Sequence, residues 1–170
     1  MLIEDLSSLG TRAFQTQYEV VFPEGIPFGS NMDGDQIKIM QRREFQLPAR
    51  DVDVTEWSYR GMKITDAIGM DATTKEFELE FVIDQAWGIY KDFSAWRTAV
   101  YDDKTGVIGD RASTSTTIII NALGADDSIY HTWKMKGVRA KTIDIDPFGH
   151  EGNEYMHIRV TCIYDFYDEE

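Results

Sequence analysis

The side chains from which a reactive site could be built are few: the chain has three histidines, one cysteine and 30 acidic residues. His150-Glu151 followed by His157 has the composition of a zinc-hydrolase motif. Two imidazoles reach one metal from one helix face when they stand four apart, as in His-Glu-x-x-His. Here the step is seven, with Gly152 and Asn153 between them. Nothing in the spacing of His131, His150, His157 and Cys162 brings them together, and ordinary strand or surface histidines account for them. Asp103-Lys104-Thr105-Gly106 matches an aspartyl-phosphate loop, but that chemistry needs a nucleotide-binding sheet and a membrane domain that 170 residues cannot hold. Asp102, Asp103 and Gly106 instead supply turn chemistry. Asp144, Asp146, Gly149 and Glu154 approach a calcium loop, which Pro147 and the ligand spacing break. A Gly-rich phosphate loop and a Gly-x-Ser-x-Gly elbow are both missing from the sequence. Cys162 lies on the apolar face of a strand pattern, where a thiol is buried and inert. The residues therefore point to no catalytic, cofactor-binding or metal site, and an enzyme is not expected.

The elements that carry these residues are mostly strands. Gln17–Phe22 alternates briefly. Ile37–Leu47 is a longer, mixed strand pattern ended by Pro48. Val54–Ile64 is a strand with a bend or bulge at Gly61. Phe77–Ile83 alternates strictly, with Phe77, Leu79, Phe81 and Ile83 on one face and Glu78 and Glu80 on the other. Thr116–Leu123 is apolar on both parities, as a strand covered on both faces would be. Trp133–Ile145 is a weaker strand pattern. Met156–Tyr167 is the clearest: Met156, Ile158, Val160, Cys162, Tyr164 and Phe166 share one face, while Arg159, Thr161 and Asp165 face outward. One segment keeps a helical period. From Gly88 to Tyr101, Ile89, Phe93, Trp96 and Val100 recur at steps of four, three and four, making one apolar core stripe. Lys91, Asp92 and Arg97 fall off it, on the solvated side. Phe22–Gly34, rich in Pro and Gly, reads as a long turn, and Thr105–Ser115 as a polar linker. Strands, one helix and more strands imply a mostly antiparallel sheet, or two, with a helix (about 88–101) packed outside.

The length suits one domain, 1–170, with residues 1–14 either a short helix or an N-terminal arm that docks on a neighbour. The first residues lack a basic n-region and a long apolar stretch, so no signal peptide is expected. No apolar run approaches the ~20 residues of a membrane-spanning helix. A single cysteine excludes an internal disulfide and suits synthesis in the cytoplasm. The formal charge is −13, from 17 basic and 30 acidic residues. Gripping nucleic acid needs Lys and Arg clusters, so that role is disfavoured. A surface that DNA must slide past would instead gain from like-charge repulsion, which acts over a Debye length of ~10 Å. Simple solubility explains the charge equally well.

Phe45-Gln46-Leu47-Pro48 leads into Glu56-Trp57-Ser58-Tyr59-Arg60-Gly61-Met62-Lys63-Ile64. Then follow a loop with Gly69, the strand Phe77–Ile83, Tyr90-Lys91-Asp92-Phe93-Ser94-Ala95-Trp96, and a final Ile158–Tyr167 ending in Tyr-Asp-aromatic. This series, over about Ile37 to Tyr167, resembles the tail tube proteins of contractile-tailed bacteriophages. The Pro/Gly-rich Phe22–Gly34 and the linker Thr105–Ser115 depart from the family's pattern. The resemblance implies a mainly β fold, two packed antiparallel sheets forming a sandwich or partial barrel with one outer helix. It implies six copies per ring, and rings stacked into a hollow conduit for genome delivery inside a contractile sheath, in a virion tail. The implied partners are further copies of the chain, sheath, baseplate and terminator proteins, with a tape measure protein and DNA passing through the lumen without specific binding. No membrane partner or cofactor is implied. Glu78, Glu80, Arg159 and Asp165 are then expected on the lumen or solvent face. Two readings keep the fold and change the job: a baseplate or tube-end ring, and the tube of a non-phage contractile injection system. A reading from another class is a β-sandwich module binding carbohydrate or a receptor. Trp57, Trp87 and Trp133 show no common spacing for a sugar platform, and Trp96 belongs to the helix core.

Overall fold

The computed structural model describes residues 18–41, 45–48, 52–70, 75–124, 126–148 and 155–170. The expected arm at 1–14 lies outside them. In chain order the elements are β1 (Tyr18–Val21), α1 (Gly34–Met40), β2 (Val52–Tyr59), β3 (Met62–Met70), β4 (Glu76–Val82), α2 (Gly88–Val100), α3 (Arg111–Thr114), β5 (Thr116–Leu123), β6 (Ile129–Ile145), β7 (His157–Ile163) and β8 (Phe166–Glu169). The chain is mainly β with two antiparallel sheets and few helices, as the strand patterns imply.

The larger sheet runs β1-β5-β6-β7-β4, with β8 also on β6. The long β6 changes partners midway. Its first half, to Val138, lies against β5 and β8, and from Arg139 onward it lies against β7. The handover falls at Gly137, whose φ of +68° is a backbone that an L side chain adopts only with strain. Arg139 faces Ile163 and Lys136 faces Phe166, so β7 and β8 follow one line along β6. The single strand expected at Met156–Tyr167 is therefore two, parted at Tyr164 and Asp165. The outermost strands β1 and β4 are brought near each other by Gln41: its side-chain Oε1 accepts the Val20 N–H at 3.0 Å, and its backbone bridges to Phe81. The sheet thus curls into a partial barrel.

The smaller sheet is the hairpin β2–β3. Arg60 and Gly61 both have positive φ, the two-residue turn that matches strand twist. Gly61 is thus a hairpin turn, not a bend in one strand. The expected strand Ile37–Leu47 is also corrected. Residues 34–40 form α1, opened by a capping box: Asp33 accepts the Gln36 N–H at 2.8 Å and Gln36 Oε1 accepts the Asp33 N–H at 3.1 Å. That reciprocal pair stabilises the first helical turn and outweighs a mixed alternation. The linker expected at Thr105–Ser115 likewise contains the short α3, capped by Asp110.

The core lies where α2 meets β6, β4 and the turn after β1. Ile89, Phe93 and Trp96 are wholly buried, and Val100 packs partly buried beside them, as the stripe predicts. Phe93 tilts onto Phe81 at 5.1 Å and meets Phe22 edge-on at 6.1 Å. Trp96 donates its indole N–H to the Thr114 carbonyl at 2.7 Å, so its polar atom is satisfied. Phe77, Leu79 and Phe81 point inward and Glu78 outward, as the alternation requires. Asp92 is the departure. Placed on the solvated side by periodicity, it is buried and anchors the Pro/Gly-rich segment. Its carboxylate accepts the backbone N–H groups of Ser30, Asn31 and Met32 and the Asn31 amide.

Candidate assembly surface

Three surfaces carry what the body leaves unfinished. The first is the hairpin. Every side chain described from Asp53 to Ala67 is exposed except the half-buried Ile64. Both faces therefore meet solvent, although Val54, Trp57, Tyr59 and Met62 are large and apolar. Trp57 leans on Tyr59 at 6.5 Å and donates to Asp66 at 2.8 Å, and the Arg60 guanidinium sits 5.3 Å over the Tyr59 ring. An isolated two-stranded hairpin is marginal in water, so this arm is suited to packing on something else.

The second is the outer face of β4, β7 and the second half of β6. Glu78 stands opposite Thr161, Glu80 opposite Arg159, and Arg159 opposite Asp144. Arg159 also donates to Asp146 at 3.1 Å. Asp146 accepts the His157 backbone N–H and lies 3.0 Å from its Nδ1. The His157 contact first, with Arg159 and the His157 backbone N–H adding to it, lowers the Asp146 carboxyl below its ordinary value. Glu76 pairs with Lys141 on the same face. The expected residues Glu78, Glu80 and Arg159 thus share one polar face.

Asp165 does not join them. It sits in the break between β7 and β8, where it holds the corner of the sheet. Its carboxylate pairs with Arg111 at 2.5 Å and lies 3.7 Å from Arg139. Its carbonyl accepts from Lys75 Nζ at 2.6 Å, and its N–H donates to the Lys136 carbonyl at 3.0 Å. A Cβ on Gly137 would lie 2.0 Å from its Oδ2. The local signal was Gly137 itself, a lone glycine inside a long strand pattern.

The third surface is aromatic. Phe148 stacks on Trp87 at 6.2 Å, and Trp87 meets Tyr90 edge-on at 5.6 Å. Periodicity gave no hint of it, because Phe148 and Trp87 lie on separate loops. Cys162 is fully buried and its thiol is pushed well above the usual range by desolvation. Among the described residues no group of three His, Cys, Asp or Glu side chains is placed to hold a metal. No helix described is long and apolar enough to cross a membrane.

The fold is of the tail-tube type found in contractile injection machines. A chain of an extracellular contractile injection system, from the cryo-EM structure of the PVC sheath-tube complex in the extended state, superposes with a TM-score of 0.66 at 12% identity, over 98% of this chain and 96% of that one. A chain of the anti-feeding prophage tube-terminating cap gives 0.67 at 12%, over 95% and 92%. A chain of the six-fold symmetrised anti-feeding prophage baseplate gives 0.65 at 13%, over 95% and 97%. No family model matches the sequence, and no curated protein does.

Proposed function

We propose that this chain is the tube-forming subunit of a contractile injection machine. Copies join side by side into rings, six to a ring as the sequence resemblance implies, and the rings stack into a hollow conduit within a sheath. It acts as a structural protein and not as an enzyme. The observation that carries this reading is unfinished burial. Thirteen large hydrophobic side chains stay exposed among the described residues, and the hairpin arm meets solvent on both faces. Such surface is costly on a monomer and useful at an interface. The body's fold is shared with sheath-tube, cap and baseplate structures, which favours further copies, sheath, baseplate and terminator proteins as partners. Those structures come from injection systems, and this favours a non-phage machine over a phage tail. In a phage tail the same conduit would carry the tape measure protein and DNA.

A second reading is supported by the equal likeness to the cap and baseplate structures: a ring at the tube end that does not polymerise. Sedimentation of the purified chain over a concentration series tests the proposal. Ring-sized species giving way to longer, concentration-dependent polymers support a tube, a ring that never grows supports the end-ring reading, and a monomer even with a baseplate seed overturns both.

The polar face bearing Glu78, Glu80 and Arg159 is assigned to the lumen in this reading, where excess carboxylates keep an anionic cargo from adhering. Glu78→Lys with Glu80→Lys should leave assembly intact and slow passage of an anionic cargo through the tube. Unchanged passage would place that face elsewhere.

A further inference from the structure

β6 carries a row of cations on its outer face. Lys134, Lys136, Arg139 and Lys141 alternate with the buried Met135, Val138 and Ala140. Lys134, Lys136 and Lys141 each have a carboxylate of their own. Glu170 meets Lys134 at 2.6 Å, Asp168 meets Lys136 at 2.6 Å, and Glu76 pairs with Lys141. Arg139 is the exception. Its side chain is only 23% exposed, yet among the described residues its enclosed Nε has no hydrogen-bond partner. The carboxylate it faces, Asp165, stands 3.7 Å away, beyond hydrogen-bond reach. A guanidinium offers five N–H donors, and one left buried without an acceptor calls for an ion or water to complete it.

Asp165 serves Arg139 poorly because it is shared. Its Oδ2 lies 2.5 Å from Arg111, and the Lys75 ammonium donates to its carbonyl at 2.6 Å. Three cations thus converge on one acidic residue, in a chain whose net charge is −13. They come from separate places: Lys75 from just before β4, Arg111 from α3 and Arg139 from β6. At Gly137, where the Asp165 carboxylate packs, the corner adjoins a cleft of about 180 Å³. Ser115, Thr116 and Thr117 bring hydroxyl groups to its lining, and Glu24 brings one exposed carboxylate. With Glu24 counted, the cations still exceed the carboxylates here.

We infer that this corner binds a small oxyanion of the phosphate type. The planar guanidinium of Arg139 donates to two of its oxygens, the geometry in which arginine recognises phosphate. Arg111 and the Lys75 ammonium add the remaining charge, and the cleft hydroxyls donate to oxygens on the outer side. With the ligand in place Arg139 gains the acceptor it lacks, while Asp165 keeps Arg111. The bound anion ties β6 to the segments before β4 and β5, and so braces the break between β7 and β8. The inference stands on the side chains of this corner in a single copy, and it does not depend on the tube reading.

Titration of the full-length chain with inorganic phosphate, followed by calorimetry at an ionic strength held constant with chloride, tests this. A single saturable site is expected, with a thermal unfolding midpoint that rises as the site fills. Affinity should fall roughly tenfold or more in Arg139→Gln and in Lys75→Gln. It should stay unchanged in Lys104→Gln, an exposed lysine in the turn after α2. Arg111→Gln, at a side chain 65% exposed, reads the same loss should Arg139→Gln fold poorly. No saturable binding by the parent chain, or undiminished affinity in Lys75→Gln and Arg111→Gln, would overturn the inference.

Discussion

Asp92 is the residue whose role periodicity reads least well. It adjoins Phe93 on α2 and falls beside the apolar stripe, so a helical wheel turns it to solvent. What it meets is a loop some 60 residues away in sequence, at Ser30–Met32. A helical pattern cannot show a partner that distant. Four donors converge on its buried carboxylate, and Asp92→Ala would leave them without it. Unfolding in urea should show a loss of about 2–3 kcal/mol, and an unchanged midpoint would refute the anchoring role. Asp146 makes a second prediction at this scale. His157, then Arg159, holds its carboxyl below the ordinary value near 3.8. The unfolded chain therefore binds that proton more readily. The stabilisation is complete above the ordinary carboxylate value and is lost as pH falls through the lower folded one. Acid unfolding should begin at that ordinary value and flatten in Asp146→Asn. Identical acid limbs for the two proteins would contradict this.

Among the elements, those with a strict period were legible. Phe77–Ile83 and the α2 stripe fold as their patterns require, because burial on one face selects a single periodicity, whereas Thr116–Leu123, apolar on both parities, buries Thr116, Ile118 and Ile120 on one face and leaves Thr117 and Ile119 half-buried on the other. Elements governed by a few local hydrogen bonds were not. Asp33 and Gln36 start α1 through a capping box, which was readable in sequence but was masked by the alternating Ile37 and Ile39. The hairpin was partly legible: Gly61 signalled a bend or bulge, while the strands on either side of it read as one. Gly137 joins residue to element. Its positive φ and its closeness to Asp165 both exclude a side chain. Gly137→Ala should therefore destabilise by more than ~1 kcal/mol. In an Asp165→Ala background part of the cost should vanish, because the carboxylate clash is gone while the Cβ of residue 165, 3.0 Å away, and the backbone strain remain. Equal costs in both backgrounds, measured by thermal unfolding, would show that Asp165 does not crowd Gly137.

For the whole molecule, the mainly β architecture was legible from strand order, and the place of each apolar surface was not. Composition reveals how many aromatic residues there are, not which of them stay outside. The fold leaves Trp57, Tyr59, Met62, Tyr130, Phe148 and Tyr155 exposed, while Phe22, Phe81, Phe93 and Trp96 fill the interior. This apolar surface is what the proposed assembly would cover. Of the four residues expected on a lumen or solvent face, Glu78, Glu80 and Arg159 share one polar face and Asp165 belongs to a corner. Electron microscopy of the negatively stained protein over a rising concentration series, with and without a baseplate seed, tests self-assembly most directly. Hollow, uniformly wide tubes or stacked rings are expected, and particles that remain single subunits in every condition would contradict tube formation.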